Sequence, residues 1–455
     1  MLRSLMIWTI LLVGQCAVAV SAEGQREWRV GVARENISPE LPIWLSGYAA
    51  RNRPAPDKLD DLWAKALVLQ DAAGRRAVLV TMDLIGIDRE LSQNVCRRIE
   101  EQFDLPREAI ALSTSHTHSG PVVRGNLEPM YVLNQRETSR IDDYTAKLEK
   151  QLVSVVGAAI ESLQPARLSW GTGTATFAVN RRNNPEGEVP QRREAGTLIG
   201  PVDHDLPVLA IHGSDDGTLR AVVCGYACHA TTLDDYQLSG DWPGASQNEL
   251  ERRHPGAVVL FWAGCGGDQN PVPRRSVDWV HTHGRAFADG VDAALAKRLQ
   301  PIEPTLTLAY DEIDLPFGAL PTREHLESVA AGDNQHQARW AKYLLDAWDR
   351  DGGLPESYRY PVQVWHLGPD ITWIFLGGEV VVDYALRLKS ELGRETTWVA
   401  GYSNDVMGYI ASQRVLAEGG YEGGDSRWYY GLPAVWSPEV EPRIVEAVHR
   451  LRGGK

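Results

Sequence analysis

Two histidines two residues apart, His116 and His118 in the run Ser113-Thr-Ser-His-Thr-His-Ser-Gly-Pro121, are the side chains of this sequence best suited to chemistry. If the apolar run Ala109 to Leu112 before them is a strand, its period of two sends both rings to one face. Neutral imidazoles so placed ligate zinc at about 2.0–2.1 Å, or one ligates while the other carries a proton. The structural alternative is a loop holding two hydrogen-bonded histidines. His229, in Gly225-Tyr-Ala-Cys-His-Ala-Thr-Thr232, follows a predicted strand and precedes Ser239-Gly-Asp-Trp-Pro-Gly244. By itself it reads as a satisfied core histidine. Glu379 follows an apolar strand through Gly377-Gly378, and burying it ionised requires a partner that a cation would supply. Its structural alternative is an N-cap carboxylate for the helix predicted after it.

The elements that must carry these residues alternate between strand and helix. Ala64 to Gln70 and Arg76 to Met82 predict a hairpin around Asp71 to Gly74. Arg89 to Phe103 and Ile141 to Leu163 have helical spacing, and Ala166 to Gly171 returns to extended chain. Leu206 to His212 and Leu219 to Tyr226 pair around Gly213 to Gly217, and Val258 to Trp262 is a short buried strand ending in Gly264-Cys-Gly-Gly-Asp268. A glycine-rich turn at a strand end is where α/β proteins build sites. Thr322 to Gly352 predicts a helical layer over the core. Val362 to Leu367 and Ile371 to Leu376 are strands, a helix follows Glu379, and Val440 to Leu451 is helix-like. Gly419 to Gly424 reads as a shaped surface loop.

Composition bounds the function class. Arg3, the apolar stretch Leu5 to Val13 and Val20 and Ala22 at the −3 and −1 positions predict a signal peptide over residues 1–22, cleaved after about Ala22. Gln15 argues against lipidation of Cys16. The expected product, 23–455, is secreted or periplasmic. Arg3 is the one charged residue lost, so the formal charge moves from −14 to −15. An acidic chain argues against a nucleic-acid partner. No later stretch reaches about 18 uninterrupted apolar residues, so no transmembrane segment is expected after cleavage. Cys96, Cys224, Cys228 and Cys265 permit bridges in an oxidising compartment without making a disulfide scaffold. The 15 tryptophans are assigned to cores.

Taken in order, Ser-His-Thr-His-Ser-Gly-Pro121, His229-Ala-Thr-Thr with Ser239-Gly-Asp241, Gly-Gly-Asp-Gln-Asn-Pro271, Gly-Gly-Glu379 and Gly-Tyr-Ile410 resemble the neutral ceramidases. Gly47-Tyr-Ala49, Asn180-Arg181 and Tyr421-Glu-Gly-Gly424 add to the likeness, which runs from about Val30 to Gly431. The resemblance implies an α/β fold, mixed β-sheets flanked by helices in a single large catalytic domain, with the site at strand-end loops. It implies one Zn2+ per chain held by His116, His229, Glu379 and Tyr409, with His118 and Arg181 as polar groups handling the substrate. Such a centre keeps a position for water and lowers its pKa to about 7. The implied activity is that of a secreted zinc-dependent amidohydrolase cleaving an N-acyl amide by attack of zinc-activated water, ceramide-like lipid amides being the leading substrate class. Arg181 or Tyr409 would stabilise the oxyanion, and His118 would pass a proton to the departing amine. For Arg181-Arg182 the structural alternative is a pair of solvated surface charges.

Two departures matter. Family members carry a serine where this chain has Asn270, in Gly267-Asp-Gln-Asn-Pro-Val272. A carboxamide hydrogen-bonds a carbonyl or a water but is no serine-type nucleophile. Asp268 is expected to cap its own turn. Only some 24 residues follow Gly431, so the C-terminal immunoglobulin-like domain of the family is not expected. Two alternatives stay open: a metallohydrolase of esters or phosphoesters, with Asp241 and Asp268 furnishing a two-metal site, or a catalytically silent relative that lost the serine.

Overall fold

Along the strand Trp63–Gln70, Ala64, Ala66 and Val68 point to one side and Leu67 and Leu69 to the other, and all five are buried. Both faces of the sheet are therefore covered, and for that reason the strand reads as a continuous apolar run. The chain, described over residues 27–453 by a computed structural model, builds two such sheets. The expected signal peptide, with Cys16, lies outside the described residues.

The larger sheet contains β1 (Trp28–Asn36), β2 (Trp63–Gln70), β3 (Arg76–Met82), β4 (Ile110–Thr114), β5 (Gln164–Thr174), β6 (Asp205–Gly213), β7 (Leu219–Tyr226) and β8 (Val258–Ala263). Their order is β8-β7-β6-β5-β1-β2-β3-β4, and a two-residue strand at Gln300–Pro301 pairs with β5. β3 with β4 and β7 with β8 run parallel, and the other neighbours antiparallel. The smaller sheet is β9 (Leu306–Pro316), β10 (Ser357–Leu367), β11 (Ile371–Leu376) and β12 (Thr397–Ala400), in that order, with β11 and β12 parallel.

The two sheets lie face to face over a tryptophan-rich layer. Trp28, Trp170 and Trp262 come from the larger sheet and Trp365, Trp373 and Trp398 from the smaller, with ring centroids 5.7 Å apart for Trp262–Trp373 and 5.3 Å for Trp373–Trp398. Tilted and edge-on contacts of this kind add to the apolar area that large rings bury. Four helices, α1 (Arg89–Phe103), α2 (Gln135–Glu161), α3 (Asp241–Arg253) and α4 (Val277–Leu295), cover the outer face of the larger sheet. Beyond the smaller sheet, α5 (Arg323–Ala330) and α6 (Gln335–Asp351) precede α7 (Val382–Leu392) and α8 (Val440–Arg452), and the last two cover that sheet's outer face. The result is helices, sheet, sheet, helices: an α/β fold of mixed sheets flanked by helices. Among the described residues no helix is long and apolar enough to cross a membrane.

Three sequence expectations change here. Helix α2 starts at Gln135, six residues before Ile141, because Asn134 and Glu137 form a capping box over a polar first turn that apolar spacing does not register. The segment Thr322 to Gly352 is a helical hairpin with its own small core of Leu326, Trp340, Ala341 and Leu344, and not a layer over the main core. Trp340 Nε1 ties it to Leu432 O at 2.8 Å. Cys96, Cys224, Cys228 and Cys265 are all buried and unbridged, acting as small apolar side chains.

The loop after β12 carries Asp405, buried, its carboxylate accepting from Tyr358 Oη at 2.6 Å. Burial pushes this carboxyl up to about 7. A folded-state pKa above the unfolded one gives a contribution that is complete below about pH 4 and is lost as pH rises through about 7. Asp405→Asn is neutral at every pH and removes that loss. Its Tm relative to the parent should therefore be higher at pH 8 than at pH 5 in thermal unfolding, and an equal difference at both pH values contradicts this origin.

Candidate active site

Strand β4 ends at Thr114 and does not run through the histidines, so the pleat argument for His116 and His118 fails. The chain turns instead: His116 sits at φ +60°, a left-handed conformation that a non-glycine residue adopts at some cost. Backbone bonds hold the turn. Thr114 N donates to Tyr402 O at 3.2 Å, Thr117 bridges Ala230, and His118 N donates to Ala230 O at 3.1 Å. The two rings meet edge to face, with their Nε2 atoms 3.2 Å apart.

His229 arrives from the end of β7, where its N–H donates to Gln269 O at 2.9 Å. Glu379 and Tyr409 are register partners in a two-residue parallel bridge, so a carboxylate and a phenol far apart in sequence emerge side by side. Gly267 N donates to Val380 O and Tyr402 N to Gly378 O, each at 2.9 Å, tying the β8, β11 and β12 loops together. The site therefore lies where strand-end loops of both sheets meet.

Its inner atoms are acceptors. His116 Nδ1 donates to Ile85 O at 2.7 Å and His229 Nδ1 to Gly266 O at 2.6 Å, which fixes both tautomers and turns both Nε2 lone pairs inward. Glu379 Oε2 lies 3.0 Å from each of these nitrogens. Burial, with Arg181, pushes His229 down to about 4, so the ring is neutral at neutral pH. Three lone pairs facing one another in a dry site repel unless a cation lies between them. Tyr409 Oη is 3.3 Å from His229 Nε2, and its ring stacks on the imidazole with 11° between planes. Two nitrogens and two oxygens thus form a donor set that fits a metal such as zinc.

His118 differs from its neighbours. Its Nδ1 has no hydrogen-bond partner among the described residues, so no carbonyl there fixes its tautomer, and burial with the two adjacent imidazoles holds it well below its usual range. His116, His118 and His229 by themselves form a buried cluster with ligand atoms within 4.8 Å of one another. Gly47 packs against His118, where a Cβ would lie 2.4 Å from Nδ1, and Arg51 Nη1 donates to His118 O at 2.6 Å.

Arg181 and Arg182 are not solvated surface charges. Arg181 donates from Nε to Glu422 Oε1 at 2.7 Å, from Nη1 to Asn270 Oδ1 at 3.2 Å and from Nη2 to Tyr409 Oη at 2.9 Å. Arg182 Nη1 reaches the other Glu422 oxygen at 2.6 Å. Glu422 therefore anchors the guanidinium that joins Asn270 to the phenol. The motif Tyr421-Glu-Gly-Gly424 contained this residue, but nothing in it marked the role. Tyr430 Oη donates to Glu379 Oε1, a contact no sequence pattern announced, delivered by the short helix Arg427–Tyr430 that the α5–α6 hairpin braces.

The structural alternatives for the carboxylates also change. Glu379 caps no helix, since the N-terminus of α7 is met by Asp268 Oδ1, which accepts from Val382 N at 2.8 Å. Asp268 caps that helix and not its own turn, and its other oxygen accepts from Asn180 Nδ2 at 3.0 Å. Asp241 accepts from Leu233 N at 2.9 Å and Trp242 N at 2.6 Å. Neither aspartate joins the histidine cluster among the described residues, so they form no two-metal site with it.

Known proteins resemble this chain in sequence and in fold. The family model described as neutral/alkaline non-lysosomal ceramidase, N-terminal, matches residues 28–261, over half of the chain. Neutral ceramidase B of Dictyostelium discoideum is 26% identical over 275 residues, 56% of this chain and 37% of that protein. Neutral ceramidase 1 of Arabidopsis thaliana is 22% identical over 357 residues, 73% of this chain and 43% of that one. The chain thus spans about two fifths of the length of these relatives. The crystal structure of neutral ceramidase from Pseudomonas aeruginosa superposes with a TM-score of 0.72 at 19% identity, over 94% of this chain and 74% of that one, a likeness of fold. With the family model covering most of the larger sheet and the loops that bear three of its histidines, the chain belongs to the neutral/alkaline non-lysosomal ceramidase family.

Proposed function

We propose that this chain is a zinc-dependent amidohydrolase that cleaves an N-acyl amide, lipid amides being the class to which its relatives' names point. The observation that carries the reading is the dry set of inward lone pairs on His116, His229 and Glu379, joined by the Tyr409 phenol. Bound there, zinc supplies Lewis acidity toward the scissile carbonyl and the attacking water. Tyr430 orients Glu379 by donating to its second oxygen. Arg181, charged and beside Tyr409 and Asn270, stabilises the oxygen that gains negative charge as the carbonyl is attacked. Asn270 uses Oδ1 on Arg181 and keeps Nδ2–H for the substrate carbonyl. It cannot attack, so water supplies the oxygen that bonds to the acyl carbon. The C–N bond breaks, and His118 carries the proton lost by water to the departing amine.

A second ligand arrangement rests on the 3.2 Å approach of His118 Nε2 to His116 Nε2. In it three imidazoles hold the metal and no proton carrier is left. The N-terminal residues 1–22 are proposed as an export signal, supported by their sequence pattern alone, leaving 23–455 as the catalytic unit. N-terminal sequencing of protein recovered outside the cytoplasm, beginning near Glu23, tests that proposal.

Zinc analysis of purified variants separates the two ligand sets. His116→Ala and His229→Ala should lose the metal, whereas His118→Ala should retain one zinc per chain and lose rate by about 10²–10⁴-fold. Loss of zinc in His118→Ala establishes the three-imidazole set instead. Tyr430→Phe should weaken zinc retention by about 10–100-fold against a competing chelator, as removal of a group that orients a ligand does. Asn270→Ala should keep zinc and lower kcat by about 10²-fold. Activity itself is read by incubating zinc-replete protein with N-acyl amides and simple esters and measuring released amine and acid. Acid release from esters alone refutes the amidase reading.

A further inference from the structure

His336, Arg339, Trp340 and Tyr343 stand at helical spacing on α6, and their side chains hold two segments far apart in sequence. Arg339 donates from Nε to Pro129 O at 3.1 Å, and from Nη2 to Met130 O at 3.4 Å and His336 Nδ1 at 2.7 Å. Its hydrogen-bond partners among the described residues are thus two carbonyls and an imidazole, so the guanidinium serves to hold the 129–130 segment. The neighbouring Trp340 donates to Leu432 O at 2.8 Å, and the Arg427 guanidinium lies 5.6 Å from its ring centre. His336 meets the Tyr429 ring at 5.3 Å. Tyr343 packs so closely on Gly431 that a Cβ there would lie 2.5 Å from the phenol ring and 3.3 Å from Pro129.

Each held segment ends beside the metal centre. Next to Met130 is Tyr131, buried, whose Oη lies 2.6 Å from Ser46 Oγ and accepts from Gly47 N at 3.1 Å. Gly47, at φ +96°, presses its backbone against the Nδ1 edge of His118. Arg51 Nη1 then joins Ser46 O, at 2.5 Å, to His118 O, at 2.6 Å. The path that begins at Arg339 therefore ends on His118. Two residues before Leu432 stands Tyr430, the donor to Glu379 Oε1, so the path from Trp340 ends on a ligand carboxylate.

We propose that the α5–α6 hairpin is a clamp that sets the two sides of the centre separately. Arg339 and Tyr131 are positioning residues for His118, and Trp340 is one for Glu379. Both paths start from one turn of a helix that has its own small core, which gives them a common rigid origin. The proposal rests on the ligand set and the proton-carrying role of His118 given above.

The test compares zinc-loaded full-length parent with Arg339→Ala, Tyr131→Phe and Trp340→Phe in two assays: the rate at which a chelator removes zinc, and kcat and KM for an N-acyl amide from released amine. Arg339→Ala and Tyr131→Phe should keep the parent's zinc-loss rate and KM and lower kcat by about tenfold, part of the roughly 10²-fold that a 1 Å misplacement costs. Trp340→Phe should speed zinc loss by about tenfold, as loosening a group that orients a ligand does. Tyr131→Phe removes a single buried oxygen and carries the first half of the test if Arg339→Ala does not fold. Arg427→Met, which takes the cation off the Trp340 ring, carries the second half if Trp340→Phe does not. A parent kcat in either His118-side variant, or a parent zinc-loss rate in Trp340→Phe, overturns the clamp. So does a parallel fall of kcat and zinc retention in all three, which a general loss of stability produces. No amine release by the zinc-loaded parent overturns the amidase reading and the His118 half with it, and zinc loss from Trp340→Phe then decides the Glu379 half alone.

Discussion

The structure is organised around one electrostatic conflict. Two imidazoles, each tied through Nδ1 to a backbone carbonyl, and a carboxylate converge on a common centre through Nε2 and Oε2. In water such an arrangement would relax by rotating a ring or hydrating the carboxylate. Here neither is open, because Ile85 O and Gly266 O hold the ring orientations and the groups are buried. The conflict is therefore imposed by the backbone, and a divalent ion is the species that turns it into attraction.

Imposing it requires a rigid scaffold, and the four-layer architecture supplies one. Each contributing loop begins at the end of a strand buried on both faces, and backbone hydrogen bonds lace the loops to one another. The left-handed residues His116, Asp241, Tyr402 and Asn404 cluster in these same loops. Conformations that unfavourable for non-glycine residues persist only where the surroundings over-determine them. The Tyr402 ring, 4.3 Å from that of His116, shows the connection directly: a strained residue on one loop is packed on a strained residue of another.

Much of this was legible in the sequence because the elements are strongly patterned. The strands around His229 and Glu379, and helix α1, lie where apolar runs and spacing put them. The chemistry-bearing residues were legible as ordered motifs and not as geometry. Glu379 and Tyr409 are brought together by a bridge of two residues, too short to leave a periodic signal. Tyr430 was invisible for a related reason, since it acts from a single turn of helix whose position depends on a distant hairpin. The turn at His116 escaped because period-two reasoning assumes that the strand continues, whereas the strand had ended at Thr114. Asp268 was misplaced because a capping carboxylate can serve a helix far away in sequence, here α7, as readily as its own turn.

Position 270 shows how one side chain shapes the chemistry open to a fixed frame. Arg181 needs an acceptor there to complete a fork whose other prongs end on Glu422 and Tyr409, and the carboxamide oxygen provides it. The Nδ2 of the same amide makes no hydrogen bond among the described residues, so the residue offers a donor and no nucleophile. With no side-chain nucleophile at that point, the proposed reaction must draw its oxygen from water, and every water that attacks must lose a proton. That places the demand on a nearby base free of other duties. His116 and His229 are committed through Nδ1 to backbone carbonyls, whereas the Nδ1 of His118 is not. The asymmetry among three histidines that look alike in sequence is therefore what leaves one of them free to take that proton.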